Sequence, residues 1–117
     1  MMKSVLKNKS YTFAIRIVEL SQFLQQEKKE YVLNKQVLRS GTAIGAIIRE
    51  AEFAQSPADY INKFSIALTE ANETDYWLSI LKDSKYIENE LYEGFSNDCK
   101  EIISMLVSTV KTLKTKK

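Results

Sequence analysis

Four carboxylates in the middle of the chain are the residues best suited to chemistry. Glu70, Glu73 and Asp75 follow one another closely, and Glu50 lies upstream of them. Clustered carboxylates can hold metal ions or act as an acid/base pair inside a helical bundle. They can equally be solvated groups that pair with basic side chains, because carboxylates on helices are commonly surface groups. We favour solvated ion pairs over a catalytic or metal site.

The composition removes several kinds of catalytic site. The sequence has no histidine, which excludes histidine acid/base chemistry, histidine-ligated zinc and Glu-x-x-His di-iron sites. Its single cysteine, Cys99, cannot form an intramolecular disulfide or a cysteine cluster, and we interpret it as a buried small hydrophobe in a reducing compartment. No glycine-rich phosphate loop or nucleophile motif is present. We therefore predict a protein that is not an enzyme and needs no cofactor or metal.

Lysines concentrate near both ends of the chain. A collar of them could bind a phosphate backbone and release counterions. The alternative is a solvated fringe that favours solubility and the negative end of the last helix dipole, and both interpretations stay open. The candidate nucleic-acid-binding residues are Lys3, Lys7, Lys9, Lys111, Lys114, Lys116 and Lys117.

Hydrophobic periodicity indicates the elements that must position these residues. Apolar side chains recur every three or four residues and predict helices over residues 10–26, 35–55, 57–82 and 88–113. Asn34 has the residue type of an N-cap for the second helix. The third helix has a capping serine followed by proline directly before its first apolar stripe.

Short connections between four helices favour an antiparallel up-down-up-down four-helix bundle, an all-α fold in one domain over residues 1–117. Only 3 glycines and 1 proline occur, which argues against an all-β sandwich. The longest apolar run, residues 43–48, is too short to span a membrane, and no secretory signal is recognisable. We expect a cytoplasmic protein without a membrane partner.

The second helix is apolar on most sides. In a chain this small, a second apolar face needs cover, and the simplest cover is another copy of the same chain. Glycines one turn apart permit close approach of another backbone at about 1 kcal/mol each in helix propensity. The candidate oligomer or close-packing residues are Gly41, Gly45, Ile47, Phe53 and, from the third helix, Trp77.

Register arithmetic pairs charged residues across the second and third helices. If the chain reverses at residues 56–57, residues at equal height have numbers that sum to about 113. Glu50 then lies level with Lys63, and Arg39 falls between Glu73 and Asp75. We predict interhelical ion pairs among these five residues.

Aromatic residues of the third helix allow two interpretations. Trp77, Tyr76 and Tyr60 could stack on bases, because aromatic faces bind single strands. Their helical spacing favours core or subunit contacts instead. The same arithmetic for the third and fourth helices puts Gly94 level with Trp77, where the missing side chain would leave room for the indole.

Several segments in the middle of the chain follow one another at a specific spacing. They are Arg39-Ser40-Gly41-Thr42-Ala43-Ile44-Gly45-Ala46, Glu50-Ala51, Ser56, Asp59-Tyr60, Lys63-Phe64-Ser65-Ile66-Ala67-Leu68, Glu70-Ala71 and Glu73-Thr74-Asp75-Tyr76-Trp77-Leu78. With residues 9–17, they resemble the four-helix-bundle family of ribosomal RNA intervening-sequence proteins. The resemblance implies a ring-shaped homopentamer and no enzymatic activity. A related branch is the accessory variability protein of diversity-generating retroelements, which binds a reverse transcriptase and nucleic acid.

The chain departs from the family pattern at two positions. Ala43 stands where serine is usual, and Ile47 stands where the family typically has asparagine. Both make the second helix more apolar, which favours a role in an interface.

The predicted function is a non-enzymatic homo-oligomer that acts as a nucleic-acid-associated assembly module with sequence-independent contacts. The alternative is a scaffold that binds a polymerase-like or other protein partner without touching nucleic acid. The expected partners are further copies of the chain, RNA or DNA, and a protein partner.

Overall fold

Four α-helices make up the fold. The computed structural model describes residues 2–115, and it describes side chains from Val5 onward. The helices are α1 (Met2–Gln26), α2 (Val32–Glu50), α3 (Pro57–Asp83) and α4 (Asn89–Thr115). A short 3₁₀ helix, Ala51–Phe53, follows α2, and no strand occurs in the part of the chain that the structure describes.

Helices that are consecutive in the chain pack against each other. Contacts join α1 with α2, α2 with α3, and α3 with α4. A less extensive contact between α1 and α4 closes the four-helix bundle. Because the connections are short, successive helices run in opposite directions. The predicted all-α four-helix arrangement is compatible with this structure, an elongated body of 48 × 22 × 20 Å.

The predicted apolar stripes form the core. Each helix contributes a row of side chains that are almost fully buried, and the largest are Leu6, Phe13, Ile17, Leu24, Ile44, Ile48, Phe64, Leu78, Leu81, Ile102 and Leu106. Cys99 lies among them, and its thiol donates to the Ala71 carbonyl at 3.3 Å. Burial raises the pKa of this thiol to about 12, with Asp75 and Asp98 adding to the rise. The cysteine is therefore a protonated core residue.

The first two helices differ from their predicted bounds. Helix α1 begins at Met2, well before residue 10, and α2 covers residues 32–50 instead of 35–55. Its predicted cap was wrong, because Asn34 is a buried residue inside the first turn. The carboxylate of Glu30 caps this end by accepting from the amides of Val32, Leu33 and Asn34 at 3.2, 3.1 and 2.8 Å. The Glu30 side chain is longer than that of the predicted cap Asn34, and it reaches three amides at the positive end of the helix dipole.

The start of α3 is the one that its sequence predicts. The Ser56 hydroxyl accepts from the Asp59 amide at 3.0 Å, and Pro57 occupies the first helical position. The Asp59 carboxylate in turn accepts from the Gln55 amide at 3.0 Å. This reciprocal cap fixes the tight reversal between α2 and α3.

Candidate interaction surfaces

A ladder of ion pairs joins α2 to α3. Arg39 contacts Glu70 at 3.1 Å and Glu73 at 2.8 Å, and Lys63 contacts Glu50 at 3.5 Å. The hydrogen bond to Glu73 and the charge of Glu70 raise the pKa of the Arg39 guanidinium. These pairs lie at the heights that the register arithmetic gives. Each pair has at least one exposed partner, so each contributes less than about 1 kcal/mol to stability.

Asp75 does not belong to this ladder, contrary to the prediction. Residues two apart on a helix face opposite sides, so Asp75 points away from Arg39 when Glu73 points toward it. Its charge acts instead on Tyr92 and Cys99, which lie on α4. The Oδ1 atom of Asp75 is buried and has no hydrogen-bond partner among the described residues.

The carboxylates do not converge on a metal or acid/base site. No group of three or more Asp, Glu, Cys or His side chains is placed to hold a metal ion within residues 2–115. Hydrogen bonds of the Tyr92 hydroxyl with Ser79 of α3 and with Ser96 of its own helix lower the pKa of Tyr92. The acidic residues are thus spread over several faces of the bundle.

Ion pairs occupy two of the predicted lysines. Lys7 binds Glu52 at 2.5 Å, and Lys9 binds Glu101 at 3.2 Å. These two lysines are less available to phosphate than the sequence indicated. The side chain of Lys3 and the residues Lys116 and Lys117 lie outside the described part of the chain.

The remaining lysines of the collar lie on α4. Lys111 and Lys114 are exposed and have no acidic partner among the described residues. Lys100, which is not one of the predicted binding residues, is also exposed and precedes Lys111 by three helical turns, so both lie on one side of α4. The spacing of these three lysines was the signal that could have identified the stripe.

The two glycines of α2 face α1 of the same chain. A Cβ atom at Gly41 would lie 2.8 Å from a side-chain atom of Ile17, and one at Gly45 would lie 3.3 Å from the Ser10 carbonyl oxygen. Missing side chains therefore permit the close approach of α1 and α2. Of the two roles considered for these glycines, the structure has them in close packing within the chain.

The other apolar candidates lie in different environments. Ile47 is half-buried against the core, whereas Phe53 is 82% exposed at the end of the 3₁₀ helix. Phe53 borders a groove between α1 and α2 whose floor consists of small residues, among them Ala14, Gly45 and Ala46. Arg49 covers the ring of Tyr11 in the same groove, 5.6 Å from its centroid.

Trp77 lies toward α2 and does not fill the space beside Gly94. A Cβ atom at Gly94 would have a guanidinium nitrogen of Arg16 as its nearest neighbour, at 3.7 Å, and no atom of Trp77 would come within 4 Å of it. Trp77 instead meets Tyr76 edge-on at 5.1 Å. The heights of the two residues agree, but the indole points to the other side of α3.

The three aromatic residues do not form one stacking platform. Tyr60 packs edge-on against Phe64 at 5.1 Å, and it is about 24 Å from Tyr76 along α3 at 1.5 Å per residue. Trp77 and the half-exposed Tyr76 border a shallow groove on the outer side of α2 and α3. Its lining residues are Gln36, Arg39, Thr69, Asn72, Glu73, Tyr76 and Trp77.

The fold and these surfaces define a class of small helical-bundle proteins with grooves and charged stripes on their outer faces. Within that class, the chain belongs to the family of 23S rRNA-intervening sequence proteins, whose family model matches residues 2–108. This confirms the resemblance that the central segments indicate. No curated protein matches the chain.

A solved structure is closely similar to this one. It is a protein of unknown function from the S23 ribosomal protein family of Bacteroides thetaiotaomicron VPI-5482, with 58% sequence identity and a TM-score of 0.93. The match covers 95% of this chain and 99% of that one. Within residues 2–115, no helix has the length and apolar character that a membrane crossing requires.

Proposed function

We propose that this protein is a non-enzymatic homo-oligomer, assembled as a ring-shaped homopentamer, that associates with RNA or DNA through sequence-independent contacts. The observation that carries the proposal is the basic stripe of α4. No Asp or Glu follows Glu101 in the chain, whereas Lys100, Lys111 and Lys114 are exposed on α4 without acidic partners among the described residues. Lysines in this state are available to phosphate oxygens, and phosphate binding releases condensed counterions.

Family membership supports nucleic acid as the class of partner. The family is described by its connection with intervening sequences of 23S rRNA, and the chain matches its model over residues 2–108. The homopentamer is supported by the resemblance to this family and by apolar side chains that a single copy leaves exposed. The buried, unpaired Cys99 suits a reducing compartment, and we place the protein in the cytoplasm.

A protein scaffold is the second candidate function. The observation in its favour is that Lys7 and Lys9 are held by Glu52 and Glu101, which leaves fewer cations for phosphate. In that case the assembly presents its surface to a polymerase-like or other protein partner. A protein partner would remain bound in a pull-down from a nuclease-treated bacterial lysate, whereas one bridged by nucleic acid would be removed.

Fluorescence anisotropy of a labelled structured RNA and a matched duplex DNA tests the leading proposal. Both probes are titrated with the protein at several salt concentrations. We expect the logarithm of the affinity to fall linearly with the logarithm of the salt concentration, and we expect little dependence on sequence. Failure to bind either probe at low salt would contradict the proposal and favour the scaffold.

A further inference from the structure

An exposed apolar surface and a groove lined by polar and aromatic side chains lie on neighbouring sides of the bundle. The first, the α1 face, consists of Tyr11, Ile15 and Val18 on the outer side of α1, which are 55%, 46% and 39% exposed. Phe53 extends this face at the end of the α1/α2 groove that lies beside the C-terminus of α2. Side chains of this kind are usually buried, so the α1 face indicates a contact with another molecule.

The second surface, the α3 groove, is the one that Tyr76 and Trp77 border between α2 and α3. Tyr76 is 57% exposed, and Ile66 continues the same side of α3 at 39%. Aromatic residues and arginine are enriched in protein interfaces, and the α3 groove combines both with Arg39 at its edge.

We propose that the α1 face of one copy packs into the α3 groove of the next copy, and that repetition of this head-to-tail contact closes the ring. The inference rests on the homo-oligomer of the proposed function and identifies the surfaces that build it. A head-to-tail ring needs two different surfaces on each chain, whereas a two-fold dimer needs only one.

The exposed area fits a contact between copies. A whole aromatic side chain presents about 150–250 Å², so the α1 face with Phe53 exposes roughly 400 Å² of apolar side chain. A standard interface buries about 800 Å² on each partner, of which a little more than half is apolar. The α1 face therefore supplies about the apolar share that a stable contact requires.

Basic side chains border the α1 face and a surplus of carboxylates lies in the α3 groove, although the acidic residues Glu19 and Glu50 also lie beside the α1 face. Arg49 borders the α1 face and has no acidic partner among the described residues, and Lys35 lies two turns before Thr42 on the same side of α2. In the α3 groove, Glu70 and Glu73 share the single guanidinium of Arg39, which leaves a surplus of negative charge. The cations beside the α1 face thus complement the carboxylates of the groove.

The two surfaces lie at the same height along the bundle. Ile17 packs against Gly41, and the neighbouring Ser40 accepts a hydrogen bond from Thr74 at 2.9 Å. Residues near Ile17 on α1 are therefore level with residues near Thr74 on α3. In a ring whose axis runs parallel to the helices, surfaces at the same height on neighbouring copies contact each other. The α1 face of one copy therefore reaches the α3 groove of the next without a shift along the axis.

The position of the two surfaces favours a closed ring over an open filament. They occupy adjacent sides of the bundle and share α2 as their common corner, so they face directions roughly a right angle apart. Successive copies then turn toward one another and close after a few subunits. Helix α2 lies toward the ring axis, and α4 with its lysine stripe lies on the outside.

Mixing of two variants tests this contact. Ile15→Glu damages only the α1 face, Tyr76→Glu damages only the α3 groove, and Ser104→Glu on exposed α4 is the matched control. Analytical ultracentrifugation should give an oligomer for the wild type and the control, and a 13.5 kDa monomer for each variant alone. An equimolar mixture of the two variants should give a dimer, because one intact surface of each kind remains.

The remaining outcomes separate the inference from the proposed function. If either variant stays fully oligomeric, or if the mixture contains no dimer, the head-to-tail contact is wrong while the homo-oligomer stands. If the wild type is a monomer, both are wrong. Circular dichroism checks that each variant folds, and Val18→Glu or Thr69→Glu replaces a variant that does not.

Discussion

The backbone of Gly41 approaches the side chain of Ile17 so closely that a Cβ atom at this position would lie 2.8 Å from Ile17 Cγ1. Ile17 is fully buried and β-branched, so its side chain has little freedom to move away. The contact between α1 and α2 therefore depends on the absence of a side chain at position 41.

Gly41→Ala should lower the stability of the protein. The added methyl group overpacks the contact with Ile17 at a cost of about 1–3 kcal/mol, and the gain of about 1 kcal/mol in helix propensity offsets part of it. Urea denaturation measures the free energy of unfolding. Gly94→Ala is the matched control, because a Cβ there meets only the Arg16 guanidinium at an ordinary 3.7 Å, and it should stabilise by about 0.5–1 kcal/mol. Stabilisation by both substitutions would contradict the close contact.

Glu30→Ala should destabilise the N-terminus of α2. The substitution removes the acceptor for three main-chain amides, and loss of a helix cap costs about 0.5–2 kcal/mol. Glu27→Ala removes the same charge from an exposed position of the same loop and should change stability by less than about 0.5 kcal/mol. Thermal unfolding followed by circular dichroism compares the two variants, and equal effects would show that Glu30 is not the cap.

The thiol of Cys99 should make stability depend on pH only in the alkaline range. Burial raises its pKa from 9.0 to about 12. Below pH 9 both the folded and unfolded states keep the proton, and this group contributes no pH dependence. Between pH 9 and 12 only the unfolded state loses the proton, so stability should fall by up to about 1.4 kcal/mol per pH unit.

Cys99→Ala isolates this contribution from the lysines and tyrosines that titrate in the same range. The variant should lose stability less steeply than the wild type between pH 9 and 12, as measured by urea denaturation at each pH. Parallel curves for the two proteins would show that the thiol does not titrate differently on folding. A thiol reagent at pH 8 should modify native Cys99 much more slowly than the unfolded chain.

Height along the bundle was the part of the geometry that the sequence could predict. Antiparallel helices joined by a short turn keep a constant sum of residue numbers, so Arg39 meets Glu73 and Glu50 meets Lys63 where the arithmetic puts them. The core was predictable for a similar reason, because burial follows the helical period. Both features depend on spacing alone.

Direction around each helix was harder to predict. Trp77 is level with Gly94 on α4, yet it lies on the side of α3 that faces α2. Equal height does not tell whether a side chain faces α2 or α4. The cap of α2 by Glu30 was not predicted because it depends on the turn of the loop at Lys29. The φ of Lys29 is 54°, a left-handed conformation that a lysine in the sequence does not indicate. The α1 face was missed because Tyr11, Ile15 and Val18 form a second stripe beside the buried one.

Salt-dependent anisotropy of a lysine variant tests the central claim most directly. The triple variant Lys100→Gln, Lys111→Gln, Lys114→Gln removes the basic stripe of α4. The control removes three lysines from the two loops at the opposite end of the bundle, Lys28→Gln, Lys29→Gln, Lys85→Gln, with the same change in charge. Both are titrated against the labelled RNA and the duplex DNA used for the wild type.

We predict weaker binding for the α4 variant at every salt concentration and a salt dependence that is shallower by about 0.9 for each duplex phosphate that the variant no longer neutralises. The control should bind nearly as the wild type does, since its lysines lie at the other end of the molecule. Equal reductions in the two variants would mean that net charge alone governs binding, and an unchanged α4 variant would contradict the assigned role of the stripe.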